Sequence, residues 1–226
     1  MSWKQSSASE RRGYHHGNLH EALMAAALDL IKDKGIGGFT VADLARAAQV
    51  SPAAPYRHYR DKDDLLADLA RIGFERFGAA LLSAWDHGKP DPKNALIRVG
   101  RSYLDFARQN PALYTTMFDS SLSIAARPDL SEVADASLQV LRMASDTILT
   151  GFSAGTKPPA LMVALHIWSL SHGIAGLFVR PDRNPRPIPI APEQLLEAAV
   201  LIYLDGLKTP RSKDRFKNNK NSLRLP

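Results

Sequence analysis

The chain has 226 residues, 45% hydrophobic and 23% charged, an ordinary globular balance with room for one large domain or two small ones. It contains no cysteine, which excludes a disulfide framework, a thiolate metal site and a thiol nucleophile, and fits a reducing compartment. The formal charge of +6 invites a polyanionic partner such as nucleic acid, but from Lys208 onward seven cations face Asp214 alone, so the end of the chain accounts for the excess.

Residues 1–17 are polar and basic and lack the apolar stretch of a secretory signal; the expectation is a flexible basic arm on a cytoplasmic protein. Helical periodicity then runs through almost the whole sequence, and no Val/Ile/Thr alternation is sustained, so the expected fold is all-α. A first helix starts at Asn18, whose side chain can cap while Glu21 reaches back. Its apolar stripe is Leu19, Leu23, Ala26, Ala27, Leu30 and Ile31, and Gly35, Gly37 and Gly38 end it. Thr40 with Asp43 forms a second capping box, opening a short helix that turns Val41, Leu44, Ala45 and Ala48 inward and stops near Gln49 and Val50. Ser51 as N-cap and Pro52 at the first helical position predict a third helix almost at once. Asp61 caps a fourth, long helix that runs to the break at His87, Gly88, Lys89 and Pro90.

Beyond that break, helical patterns cover about 94–108, 111–118, 131–152, 159–179 and 192–208, with proline-rich joints at 157–159 and 181–192. Residues 161–179 carry no formal charge and are long enough for a bilayer, but His166, Ser169, Ser171 and His172 would be costly in hydrocarbon. A helix at the centre of a bundle or dimer is expected instead, and no membrane contact. Residues 209–226 read as a disordered, solvated basic tail.

Helices two and three are separated by only a few residues, a spacing that presents the second outward as in a helix-turn-helix. On an ideal helix Pro52, Pro55 and Tyr59 share an inward side, and Ala53, Arg57 and Arg60 point elsewhere. Small Ala53 and Ala54 let the backbone approach base edges, and Tyr56, Arg57 and His58 can donate to phosphates or bases. Lys62, with the N-terminus of the fourth helix, can hold another phosphate.

The stretches 38–45, 50–59 and 61–66 together resemble the DNA-binding signature of the TetR/AcrR family of transcriptional regulators, fixing residues, caps and spacing over roughly fifty positions. The resemblance implies phosphate contacts by Thr40, Tyr56, His58 and Lys62, base-edge positions for Ala53, Ala54 and Arg57, and a place for Tyr59 in the small domain's core. Ser51 joins this DNA-binding set, as do Arg11 and Arg12 as an arm in the adjacent minor groove. Two residues depart from the family pattern: Gln49, where glycine is common at the turn, and Pro55, an apolar residue's place in the recognition helix.

Trp168, His172 and Gly173 resemble the Trp-xxx-His-Gly pattern of one subgroup's C-terminal domain. The family likeness implies a ligand cavity near Tyr103, Phe106, Tyr114, Met117, Phe118, Met143, Met162, His166 and His172. It also implies a four-helix dimer interface made by 159–179 and 192–208, with Gly173, Gly176, Leu177, Leu196, Ala199 and Tyr203. The division expected is therefore an arm at 1–17, a three-helix helix-turn-helix domain at 18–62, a helical-bundle ligand-binding and dimerisation domain at 63–208, and a tail at 209–226.

Two other patterns compete with this reading. Gly151, Phe152, Ser153, Ala154 and Gly155 match the G-x-S-x-G elbow of serine hydrolases, so a small-molecule hydrolase using Ser153 is the alternative function. The elbow needs a strand before it, whereas a helical stretch precedes it here. His15, His16, His20 and Glu21 could be read as metal ligands, but an arm beside DNA accounts for them, and neither a metal nor a cofactor is expected. The function expected is a homodimeric, non-enzymatic repressor on a palindromic double-stranded DNA operator, released by an unknown small-molecule inducer.

Overall fold

In a computed structural model, residues 18–152, 157–179 and 188–208 are described, and every regular element among them is a helix. The α-helices are α1 (Asn18–Lys34), α2 (Val41–Ala47), α3 (Lys62–Trp85), α4 (Pro92–Gln109), α5 (Pro111–Phe118), α6 (Pro128–Leu149), α7 (Ala160–Val179) and α8 (Pro192–Lys208). Single 3-10 turns stand at Ile36–Gly38, Pro55–Arg57, Asp86–Gly88 and Ile124–Ala126.

The boundaries follow the caps. Thr40 and Asp43 form the expected reciprocal box, with the Asp43 amide donating to Thr40 Oγ1 at 3.2 Å and the Thr40 amide to Asp43 Oδ2 at 2.9 Å. Asp61 accepts the Asp64 amide at 2.8 Å and starts α3; Asp91 accepts the Asn94 amide at 3.0 Å and starts α4. Gly35 ends α1 at φ 74 and ψ 170, a conformation open to glycine and little else. Asn18 is the first residue of α1 rather than its cap.

The chain clusters into two compact units, one containing residues up to Leu81 with Asp105–Leu138, the other Leu82–Leu104 with residues from Gln139 on. This grouping follows contacts and cuts the chain elsewhere than the expected boundary at 62.

In the first unit, the α1 stripe of Leu23, Ala27, Leu30 and Ile31 packs with Phe39, Leu44, Tyr59, Leu65, Leu66, Leu69 and Leu113 into one core. An aromatic cluster continues it: Phe77 lies 5.1 Å from Phe106 between ring centres, Phe74 5.5 Å from Phe118, and Phe118 4.9 Å from Tyr114. In the second unit, α7 and α8 pack together over a core that includes Leu96, Val99, Tyr103, Leu149, Val163, Ile167, Val200 and Leu204. Gly100 lets α4 approach α8 closely, because a Cβ there would lie 2.9 Å from Leu196 Cδ2.

Candidate nucleic-acid interface and ligand domain

Helix α2 ends in a Schellman motif: the Val50 amide bonds the Ala45 carbonyl at 3.0 Å and the Gln49 amide the Arg46 carbonyl at 3.1 Å. The left-handed residue of the motif is Gln49, φ 56, in the place where glycine would cost nothing. A strain of about 1 kcal/mol is held there by the surrounding packing.

The element after this turn differs from the helix expected. Residues 51–59 form turns closed by a single 3-10 turn, with the Ala54 amide on the Ser51 carbonyl at 2.9 Å and the His58 and Tyr59 amides on the Pro55 carbonyl at 3.0 Å. A 3-10 turn advances about 120° per residue, not 100°, so the inward face changes. Ala54, Pro55 and Tyr59 are buried, and Pro52, expected inward, is exposed. Ala54, at 8% exposure, thus packs its methyl into the core, which corrects its expected place at the base edges. Ser51, Ala53, Tyr56, Arg57 and His58 are exposed, so the outward surface comes from two short runs, 51–53 and 56–58, on either side of the buried Ala54 and Pro55.

The two other predicted phosphate ligands have partners within the protein. Thr40 Oγ1 donates to Asp43 Oδ2 at 2.7 Å, and this bond from Thr40 is the main cause that holds the Asp43 carboxyl down at about 2. Lys62 is half-buried; its Nζ donates to the Phe39 carbonyl at 2.7 Å and sits 4.2 Å from the Phe39 ring centre. Sequence reasoning also missed the ion pairs that sort the arginines. Arg60 grips Asp64 bidentately at 2.5 and 2.8 Å, and Arg127 adds a bond at 3.2 Å, so the Asp64 carboxyl is held far below its ordinary range, chiefly by Arg60. Arg57 has no such carboxylate among the described residues. Arg11, Arg12, His15 and His16 lie outside the described residues.

The nine expected ligand residues fall in both units. Phe106, Tyr114, Met117 and Phe118 belong to the first unit, where Phe106, Tyr114 and Phe118 form the aromatic cluster. Tyr103, Met143, Met162, His166 and His172 belong to the second. There Tyr103, 1% exposed, accepts a hydrogen bond from Trp168 Nε1 at 3.2 Å and lies 3.1 Å from His172 Nδ1. An indole N–H can only donate, so the Tyr103 proton is the one that can reach His172. Trp168 and His172, one helical turn apart, therefore meet on a single phenol. Met143, Met162 and His166 are exposed, and His166 Nδ1 is 2.9 Å from the Tyr203 hydroxyl. Met143 lines a surface cleft of about 530 Å³ with Gln139, Arg142, Asp146, Pro159, Ala160 and Leu161. A second cleft, of about 300 Å³, lies between Pro92, Ile148, Phe152 and Leu204 and contains none of the nine.

Of the residues expected at a dimer interface, Gly173 and Leu177 are exposed, Gly176, Ala199 and Tyr203 half-buried, and Leu196 is buried against Gly100 inside the chain, which corrects its assignment. Leu161, Met162, Leu165 and Ile202 add to the exposed apolar surface. Helix α7 is long and apolar enough to cross a membrane by length and composition, over Ala160–Phe178, with a third of that window buried. Ser153 lies outside the described residues, but the segment before Gly151 is helix α6, not the strand that a nucleophile elbow requires.

Comparison with known proteins agrees with this geometry. Residues 23–69 match the family described as bacterial regulatory proteins, tetR family, and residues 96–202 match the tetracyclin repressor-like C-terminal domain. The tetracycline repressor protein class A from transposon 1721 of Escherichia coli is 34% identical over 146 residues, 62% of this chain and 59% of that protein. An uncharacterized HTH-type transcriptional regulator of Bacillus subtilis, YobS, is 26% identical over 98 residues, 43% of this chain and 50% of that one. The chain thus spans between half and three fifths of the curated relatives it matches. A solved protein of unknown function from Rhodococcus sp. RHA1 superposes with a TM-score of 0.72 at 28% identity, covering 88% of this chain and all of that one. With both halves matched in order, the chain belongs to the TetR family of transcriptional regulators.

Proposed function

We propose that the chain is a DNA-binding transcriptional repressor that acts as a homodimer on a roughly palindromic operator and is released when a small, mostly apolar molecule binds its C-terminal half. One observation carries the reading: the turn at residues 51–59 buries Ala54, Pro55 and Tyr59 and turns Ala53, Tyr56, Arg57 and His58 outward together. Small, cationic and hydrogen-bonding groups on one rigid ledge suit a major groove.

Two copies meet in this reading through the exposed apolar face of α7 and α8, and the two ledges enter major grooves about 34 Å apart. Residues 1–17 add a basic arm, 18–62 form the DNA-binding domain and 63–208 sense the ligand and dimerise. The subgroup with Trp-xxx-His-Gly is the finer assignment; the bonds that Trp168 and His172 make with Tyr103 support it, since they would orient α7 on α4. The site of action is the cytoplasm.

The test uses duplexes selected from a random pool by the wild-type protein. Arg57→Ala is expected to change which duplexes are selected, with random-duplex affinity falling only by the loss of one cation. Selection of the same sequences by wild type and variant refutes a base-reading role for Arg57, and selection of none refutes sequence-specific binding.

A further inference from the structure

The residues that hold the recognition turn in place converge on one carboxylate, Asp68. It lies in the second turn of α3, and its Oδ2 accepts the Tyr59 hydroxyl at 3.1 Å and faces His20 Nε2 at 2.8 Å, while Oδ1 accepts from Arg71 at 2.7 Å. Arg71 in turn reaches Glu75 at 2.6 Å, so the guanidinium is fixed from both sides. Three segments are joined at Asp68: the first turn of α1 through His20, the end of the recognition turn through Tyr59, and α3 itself.

The chemistry of the pair is matched. Tyr59 is 7% exposed, and a buried phenol costs free energy unless it is bonded. Burial pushes its hydroxyl up, as does Asp68, so it remains a donor. Burial also pushes Asp68 up, but the bonds from Arg71, His20 and Tyr59 outweigh it and hold the carboxyl below its ordinary range, so it remains an acceptor. Met24 Sδ, 3.1 Å from the Tyr59 hydroxyl, flanks the bond from the core side. A ring without the hydroxyl would fill the same space; the oxygen adds direction.

Direction matters here because the recognition turn cannot hold itself. It is one 3-10 turn, too short for helical cooperativity, and its C-terminal end is tied by Tyr59. The residue before, His58, is exposed with its ring 5.9 Å from His20, and Arg57 precedes that. A rotation of Tyr59 about its backbone therefore moves both outward groups.

We propose that Asp68 is a positioning residue for DNA recognition, which by bonding Tyr59 and His20 fixes the orientation in which Arg57 and His58 meet the duplex. It touches no DNA itself. The proposal rests on the reading of residues 53–58 as the DNA-contacting surface.

The test is made on the full-length protein with Tyr59→Phe, Asp68→Asn and the double variant, each titrated with the duplex selected by wild type and with a random duplex at the same salt. Each single variant is expected to bind the selected duplex about tenfold more weakly, the worth of one charge-assisted hydrogen bond, with random-duplex affinity unchanged. The double variant is expected to be no worse than the weaker single one, because both break the same bond. His20→Gln, which keeps a donor, retains the selected-duplex affinity, whereas His20→Leu loses part of it. A merely structural pair would lower the melting temperature and leave the ratio of selected to random affinity untouched; that result, or additive losses, overturns the proposal. Tyr59→Phe conserves the ring and keeps the test open if Asp68→Asn fails to fold. A wild-type protein that selects no duplex overturns the reading beneath the proposal, and is recognised without any variant.

Discussion

Replacing Lys62 by alanine separates two roles that the sequence assigns to one side chain. The ammonium group holds the Phe39 carbonyl at 2.7 Å and the ring at 4.2 Å, and Phe39 is a buried residue one place before the N-cap of α2. A hydrogen bond from a charged group is worth about 1.5–3 kcal/mol net. The ring contact adds about 0.5–1 kcal/mol, and relief of a cation at the start of α3 returns about 0.3–1 kcal/mol. With the side chain half in solvent, the low end applies, and Lys62→Ala is expected to cost about 1–2 kcal/mol. A chain of this length loses about 2–4 °C in Tm per kcal/mol, so the melt should fall by roughly 2–8 °C at fixed protein concentration. The ammonium has three protons and Phe39 uses one, so a phosphate can share it. The slope of log affinity against log salt should then fall by about one for selected and random duplexes alike. Lys62→Met, which keeps the apolar stem, controls for packing. An unchanged melt would refute the weight given to the Phe39 contact, and a lower melt with an unchanged salt slope would refute the phosphate contact.

Two further outcomes follow from the geometry. The Asp43 carboxyl is depressed to about 2, so its contribution is fully present above the ordinary 3.8 and is lost as pH falls through about 2; hydrogen exchange of α2 amides should show the cap intact at pH 3 in wild type and lost at higher pH in Thr40→Ala. Met117 is buried, with its Sδ 2.7 Å from the place of a Cβ on Gly73, whereas Met162 is half exposed, so Met117→Trp should lower stability by about 1–3 kcal/mol and Met162→Trp should leave the melt of the isolated chain nearly unchanged.

Where a cap or a proline fixes a boundary, the sequence was enough to read it. Pro111 and Pro192 stand at the first positions of α5 and α8, and both helices have the limits expected; the Thr40 and Asp43 box and the Asp61 cap made the starts of α2 and α3 equally plain. The recognition element was not legible in the same way, because Ser51, Pro52 and Pro55 suit a helical first turn and a 3-10 turn equally, and only tertiary burial of Ala54 and Tyr59 decides between them. Long-range pairs were invisible. Asp68 and His20 are 48 residues apart; nothing singled out Asp68, and His20 was grouped with His15 and His16 in an arm beside DNA, whereas it lies in the first turn of α1 and faces Asp68. The ligand residues were placed by family likeness, which cannot tell that Phe106 and Tyr103, three places apart on α4, belong to different compact units.

Helix α7 shows how an apolar sequence can still be sorted once its neighbours are known. Its residues fall into rows four apart, the spacing of the principal ridges on a helix surface. Val163, Ile167, Ser171 and Ala175 form one row, fully buried within the chain. Ala164, Trp168, His172 and Gly176 form the next, buried or half-buried, and its two polar members bond Tyr103. Leu161, Leu165, Ser169, Gly173 and Leu177 form a third, exposed along its whole length, with Ser169 and Gly173 making a low saddle between the leucines. Leucines on an exposed ridge are costly in water, at about 25 cal/mol per Å² of apolar surface, and a saddle of small residues admits the ridge of another helix. In the proposed dimer that other helix is α7 of a second copy. The bonds to Tyr103 then lie on the row beside the contact between copies.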